Sequence, residues 1–517
     1  MYHRLRVVLA IALLGSSGCT DDSDGGRAPV AAAGEHSEAG TGGGSAGEGG
    51  STSDEGSAGE GAGIDGPRGF IRIDPDHPQA FVYDNGERFF PFGDTSYYLL
   101  GEAEETIVAY LDSRSAHGIN FVRLSAIAPG FWPFGASFLE IDESALEKLD
   151  RVFDYAASRQ IHIELLLWGY GTDGGNGMWP LDPDQGEDHW IETLAERYRA
   201  RDNLFMWTVT NEFERYPDGS YTEQWAQDVG WAQSVAARIR AIDPVHPIGV
   251  HAIAGWGGDD SDDLVVWPLW EQSDVDVYNV FSRSGRLNGS WTDCPSPGSH
   301  MGVSYQPVSW EGDWYDAEWT GNAWNHGAPG IEEGLAEDWS HGKPVINTEF
   351  GYQVEAELSA DHPNVRSCQL YHPDTIRRTA WKSATSGASI AAGFVHTVKN
   401  VDPDKIDLWR PEQLEILYRF FTEELEYWTM APHLELVNHG TSVNTLLARP
   451  ADEYVAYFPR GGENAIELEA GTYDVRWLNP RTGERFDAEP VDAPGGVEWL
   501  TPPEEVTSDW VVHLRVR

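Results

Sequence analysis

Basic residues are scarce in this chain: 35 Lys and Arg stand against 84 Asp and Glu, for a formal net charge of -49 over 517 residues. A field of that sign repels phosphate backbones and anionic lipid surfaces, which sets nucleic-acid binding aside. Cysteine is scarcer still, with three residues, so any intramolecular disulfide is a single pair. The apolar run from Val7 to Leu14 is too short to span a bilayer. No His-Glu-x-x-His occurs, and no Gly-x-Gly-x-x-Gly opens the first helical stretch, which argues against a zinc hydrolase and a dinucleotide fold. Aromatics, by contrast, are plentiful, with 22 Trp and 20 Tyr. Flat faces of that kind line sugar-binding clefts, although most aromatics in any protein are core.

Residues 1–19 are basic at Arg4 and Arg6, apolar from Val7 to Leu14, and small from Gly15 to Gly18, which is the layout of a secretory signal. Ser17-Gly18-Cys19 resembles a bacterial lipobox, with Ser16 where that pattern usually has leucine; the resemblance implies lipidation of Cys19. An ordinary signal peptide cut near Gly18 is the alternative. Either way the chain is expected to be exported, as a cell-surface or outer-membrane lipoprotein or as a secreted protein, and to meet a membrane only through that lipid. Cys294 and Cys368 are then left as the one candidate disulfide.

Residues 20–66 hold ten Asp or Glu, one Arg and no aromatic, so they read as a charged Gly/Ser-rich tether. Folded structure is expected from residue 67. Phe70 to Ile73 and Phe81 to Tyr83, with the turn Asp84-Asn85-Gly86, read as a small β lid. Eight strand-like runs follow: Phe89 to Gly93, Ile119 to Leu124, Ile161 to Leu167, Leu204 to Thr210, Pro247 to His251, Val275 to Phe281, Pro344 to Thr348 and Ile390 to His396. Amphipathic helices alternate with them, such as Ser144 to Arg159, Tyr221 to Ile242 and Pro411 to Trp428. Uninterrupted apolar strands alternating with helices predict a parallel α/β sheet, and eight repeats predict a (β/α)8 TIM barrel over 67–434; an open doubly wound sheet is the runner-up. Beyond residue 435 the periodicity changes to two, which predicts a C-terminal antiparallel β domain, a small sandwich, over 435–517.

Two stretches share one grammar. Leu204 to Thr210 runs into Asn211-Glu212, and Lys343 to Thr348 runs into Glu349, so each glutamate sits where a barrel strand leaves the core. Barrel enzymes keep their chemistry there. A lone Asn-Glu after a strand is usually a solvated loop carboxylate, and a lone arginine at a strand end is usually a structural ion pair. What favours catalysis is the coincidence of both glutamates with the fourth and seventh strands of a separately counted barrel.

At this point the sequence resembles the clan of retaining glycoside hydrolases with (β/α)8 barrels, whose acid/base glutamate follows an asparagine on strand four and whose nucleophile ends strand seven. Phe92-Gly93-Asp94-Thr95, Gly118 to Arg123, Tyr457 to Gly462 and Trp477 to Gly483 further resemble the apiosidase-like bacterial glycosidases, which carry a terminal β domain labelled collagen-binding. The resemblance implies Glu349 as nucleophile, Glu212 as acid/base, Arg123 as the cation that keeps the nucleophile ionised, and Asn211 as the ligand of the hydroxyl next to the anomeric carbon. Retention needs the carboxyls about 5 to 5.5 Å apart, and an inverting enzyme would hold them about 6.5 to 9.5 Å apart.

Asp94, Trp168, His251, Tyr278 and His396 complete the strand-end candidates for substrate binding, each with a core role as the alternative. The long segment from Ser282 to Gly342 carries Trp291, Trp310, Trp314, Trp319 and Trp324 and is expected to shape the cleft. No cofactor is implied. His162 and Glu164 point into a barrel core, and the acidic run Gly257 to Asp263 reads as solvated. The leading expectation is a monomeric glycosidase acting on a plant or microbial polysaccharide or oligosaccharide. The competing one is an inactive surface protein that binds carbohydrate for adhesion.

Overall fold

The computed structural model describes residues 68–137, 139–168, 186–211, 225–252, 276–280, 331–348, 352–353, 370–371, 373–394, 396–398, 401–407, 410–437, 444–459, 461–503 and 508–517. The chain opens with β1 (Ile71–Ile73), β2 (Phe81–Tyr83) and β3 (Arg88–Phe89), an antiparallel three-stranded sheet. Then come β4 (Phe92–Thr95), α1 (Glu104–Ala116), β5 (Phe121–Ser125), α2 (Glu143–Ser158), β6 (His162–Trp168), α3 (Glu187–Tyr198), β7 (Leu204–Thr210), α4 (Trp225–Ile242), β8 (Ile248–Ala252) and β9 (Val277–Val280). They are followed by α5 (Ile331–Ser340), β10 (Val345–Asn347), the short β11 (Tyr352–Gln353) and β12 (Leu370–Tyr371), α6 (Pro373–Thr385), β13 (Ala388–Phe394) and α7 (Pro411–Arg419).

Seven of the expected runs each hold a strand, but the first, Phe89 to Gly93, is split: Phe89 ends β3 of the small antiparallel sheet, Pro91 interrupts the run, and the first barrel strand, β4, begins at Phe92, so the parallel barrel has eight strands. They pair in parallel in the order β10-β9-β8-β7-β6-β5-β4-β13, and β13 also pairs with β10, so the sheet curls back on itself as in a TIM barrel. Alternation along each strand sends one set of side chains to the helices and the other to the axis. On α2, Asp142 caps the first turn by accepting from the Ser144 amide, and Leu146, Leu149, Val152, Phe153 and Ala156 are buried on one face. The last barrel helix is shorter than its apolar pattern predicted: α7 stops at Arg419 and a π turn spans Phe420–Glu424. The wider turn accompanies two consecutive aromatics, Phe420 and Phe421, that are both buried.

The lid closes the N-terminal end of the curled sheet. Ile71, Phe81, Tyr83 and Phe89 form one cluster with Phe121, Phe205, Met206, Val277 and Ile346, which lie at or near the starts of their strands, and with Ala391 in the middle of β13. Rings of Phe81 and Phe89 each sit 5.0 Å from that of Phe205 in edge-to-face contact. Burying each is worth about 2 kcal/mol. The C-terminal strand ends are therefore left to form the site.

The C-terminal part is antiparallel, as its period of two predicts. β14 (Ala431–Pro432), β15 (Thr445–Arg449), β16 (Glu453–Phe458), β17 (Asn464–Leu468), β18 (Gly471–Leu478), β19 (Arg485–Ala493), β20 (Gly496–Leu500) and β21 (Trp510–Val516) form a six-stranded sheet, β14-β15-β16-β21-β18-β19, and a ribbon, β17-β20. Residues of both contribute to one apolar cluster. Leu447, Val455, Tyr457 and Val511 of the larger sheet share a second cluster with Ile376, Ala380 and Trp381 of α6. Barrel and sheets thus belong to a single unit, Ile64–Arg517. Among the described residues no helix is long and apolar enough to cross a membrane.

Candidate active site

β5 delivers Arg123 to the barrel axis, flanked by Phe121 below and Ser125 above on the same face. Its register partner on β6 is Glu164, and both side chains are fully buried. The guanidinium Nε donates to Glu164 Oε1 at 3.1 Å, Nη1 to the Tyr97 hydroxyl at 2.6 Å, and Nη2 to Asn211 Oδ1 at 2.7 Å. Thr208 Oγ1 donates to the same Glu164 oxygen at 2.8 Å, and the Tyr97 hydroxyl donates to Asn211 Oδ1 at 3.2 Å. A buried cation is thereby matched by one carboxylate and held by planar, directional bonds, which is what makes burying it tolerable. The arrangement aims at Asn211, the residue directly before Glu212.

His251 ends up buried on β8. Burial, reinforced by the positive charge of Arg123, holds its pKa well below the ordinary histidine value, so the imidazole is neutral and can accept as well as donate. Thr95 Oγ1 at the end of β4 donates to the Thr348 carbonyl at 3.1 Å, and Ser96 Oγ to the Thr397 carbonyl at 2.7 Å. On β10, Asn347 Nδ2 donates to Ser383 Oγ of α6 at 3.1 Å. The ends of the first, seventh and eighth barrel strands are thus laced together, and Thr348 directly precedes Glu349 in the sequence.

Of the expected substrate ligands, Arg123, Asn211 and His251 occupy strand ends at this centre. Asp94 does not face it. Its carboxylate is fully buried in an ion pair with Arg114 Nε and accepts from the Tyr110 hydroxyl at 2.8 Å, both on α1. The physical reason is the pleat: a Cβ on Gly93 would point into the Phe121 ring at the axis, so its neighbour Asp94 points to the helix layer. Trp168 is 2% exposed, and its ring lies 5.5 Å from that of Trp231 on α4, so it is packed and offers no open face to a sugar. Its carbonyl accepts from the Asn211 amide at 3.2 Å. His396 is half-buried in the turn after β13. Tyr278 lies in the backbone of β9, with its side chain outside the described residues, as are Glu212, Glu349, Cys19, Cys294, Cys368 and the five loop tryptophans.

Sequence reasoning missed Tyr97 and Thr208 and weighed Glu164 only as a metal ligand. Tyr97 lies in a turn with no strand periodicity to orient it. Glu164 carried a legible signal, being two residues from His162 on a strand and level with Arg123 on the next. Among the described residues no group of three or more His, Cys, Asp and Glu could hold a metal ion.

Residues 76–401 match the family model described as "Apiosidase-like, catalytic domain", and residues 435–515 match one described as "Putative collagen-binding domain of a collagenase". Among solved structures, the chain is similar to one titled "Glycoside hydrolase", at 16% identity and a TM-score of 0.62 over 87% of this chain and 97% of that one. It is also similar to a glycoside hydrolase family 5 protein from Bacteroides vulgatus ATCC 8482, at 17% identity and a TM-score of 0.61 over 87% of this chain and 94% of that one. Comparison with curated proteins found no match. The similar structures share the TIM-barrel-like fold, and the family match over residues 76–401 makes this chain a glycoside hydrolase. It belongs to the apiosidase-like family.

Proposed function

We propose that this enzyme cleaves O-glycosidic bonds of a plant or microbial polysaccharide with retention, by double displacement on two glutamates. Glu349 attacks the anomeric carbon; Glu212 protonates the leaving oxygen and then takes the proton of the incoming water. Asn211 binds the hydroxyl next to the anomeric carbon. The observation that carries the reading is the bonding of Arg123 Nη2 to Asn211 Oδ1 at 2.7 Å, which ties the buried cation of strand two to the residue preceding the proposed acid/base. Two close carboxylates resist double ionisation, so the acid stays protonated while a nearby cation keeps the nucleophile charged.

In this reading the catalytic part is residues 67–434 and the terminal sheets, residues 435–517, form a small sandwich that buttresses the barrel through the cluster they share with α6. The chain is exported and held at the cell surface through lipid on Cys19, with residues 20–66 as the tether, and it acts as a monomer. The test is hydrolysis by the full chain on a panel of aryl glycosides and polysaccharides, apiose-containing pectin among them. Glu349→Ala should lose activity, and Glu212→Ala should recover turnover with azide on a substrate with a good leaving group. Variants that match the wild type would remove both glutamates from the mechanism.

A further inference from the structure

We infer that Tyr97 is a positioning residue that fixes which end of the Asn211 carboxamide meets the sugar, and so sets the enzyme's dependence on the substrate's 2-hydroxyl. The inference rests on the proposed role of Asn211 as the ligand of that hydroxyl.

The chemistry of the partners decides the orientation of the amide. A guanidinium has donors and no acceptor, so the Asn211 atom 2.7 Å from Arg123 Nη2 is the oxygen. The Tyr97 hydroxyl accepts from Arg123 Nη1 at 2.6 Å, which commits its own proton elsewhere, and the same Asn211 oxygen lies 3.2 Å away to receive it. Two donors therefore converge on Oδ1, and the amide nitrogen is turned away from the pair. A flipped amide would set N–H against N–H at Arg123 and against the hydroxyl proton at Tyr97. Facing the substrate, Nδ2 donates, so the hydroxyl it meets must accept.

Tyr97 is built to hold this position. It is 4% exposed, its amide donates to the Val398 carbonyl at 2.8 Å, and its carbonyl accepts from the Ser125 amide at 3.3 Å, so its backbone bridges the ends of the second and eighth barrel strands. The Arg123 guanidinium carbon sits 5.0 Å from its ring centroid, an attraction that survives loss of the hydroxyl. Tyr97→Phe therefore deletes the relay and leaves the packing.

The experiment uses the full chain with the 4-nitrophenyl glycoside it hydrolyses fastest and the 2-deoxy counterpart of that glycoside. The quantity read is the ratio of the two kcat/KM values, which does not depend on the fraction of enzyme folded. Asn211→Ala should bring the ratio close to one. Tyr97→Phe should shrink the wild-type ratio by about fivefold, through slower kcat on the 2-hydroxy substrate, as expected for one hydrogen bond of ordinary strength. If Asn211→Ala collapses the ratio and Tyr97→Phe leaves it at the wild-type value, Tyr97 is merely structural and the inference is overturned. If Asn211→Ala leaves the ratio unchanged, the role of Asn211 falls first and takes the inference with it.

Discussion

Thr95 donates its hydroxyl to the carbonyl oxygen of Thr348 at 3.1 Å, so the end of the first barrel strand is tied to the residue immediately before Glu349. Both residues are buried. The bond spans a sequence separation of 253 residues and holds the backbone of the residue that precedes the proposed nucleophile in the sequence. Thr95→Val keeps the branched shape and removes the donor. We expect a loss of about 1 to 2 kcal/mol in urea unfolding and a fall in kcat of about three- to tenfold, since displacement of a reacting group by a fraction of an ångström is costly. Thr95→Ser should restore most of both. Unchanged kcat in Thr95→Val would show that the nucleophile is held by other contacts.

The buried pair of Asp94 and Arg114 makes a different prediction from a substrate ligand. Asp94→Asn leaves the Arg114 charge without its counterion in a site with no exposure on either side, at a cost of about 3 to 5 kcal/mol. The measurement is chemical denaturation alongside kinetics: the variant should be destabilised with KM near wild type. A stable variant with raised KM would return Asp94 to the substrate site.

Asp94 also marks the limit of what the sequence made legible. Seven of the eight strands could be read because each is a short, uninterrupted apolar run bounded by helical periodicity, and that pattern arises from burial on both faces of a parallel sheet. Which face a strand-end side chain takes is a register question, and a shift of one residue reverses it. Arg123 and Asp94 look alike in sequence, yet one points to the axis and the other to α1. Gly93 held the clue, since a glycine packed against the Phe121 ring marks the inward position, but Phe121 is 28 residues away in the chain. The Tyr97 relay was out of reach for a simpler reason: three strands must be assembled before a turn residue, an arginine and an asparagine meet.

His162 sets a pH dependence at the opposite end of the barrel. It is 9% exposed and pairs with the Tyr83 hydroxyl of the lid at 2.9 Å. Burial lowers its pKa from 6.5 to about 4, so the native imidazole stays neutral while the unfolded chain takes up a proton below 6.5. Stability from this residue is therefore full above 6.5, falls as pH drops through the window between 6.5 and about 4, and is level below it. The whole change is about 3 kcal/mol. Urea unfolding at neutral pH and midway through that window should show a steeper loss for wild type than for His162→Gln. Parallel profiles would mean that the native histidine is protonated in that range.

The last relationship joins the two parts of the fold. Arg377 of α6 and Asp509 before β21 are buried and bonded through both oxygens, at 2.9 and 3.0 Å, and the Tyr457 hydroxyl adds a third bond at 2.9 Å. Burial opposes ionisation of Asp509, but Arg377 outweighs it and lowers the pKa below the usual carboxylate value, so the pair stays charged. Around it Trp381 of the barrel stacks on Tyr457 of the sheet, with centroids 6.0 Å apart. Asp509→Asn should cost about 1 to 3 kcal/mol, because Arg377 loses its buried counterion but keeps its ion pair with Asp374 and its bond to Gln413. Because the apolar cluster is shared, unfolding of the variant followed by tryptophan fluorescence and by far-ultraviolet circular dichroism should still give one coincident transition. Ending the chain at residue 434 should expose Ile376, Ala380 and Trp381 and yield an insoluble product. A soluble, active 1–434 chain with the wild-type midpoint would make the terminal sheets an independent module and leave them free for a binding role of their own.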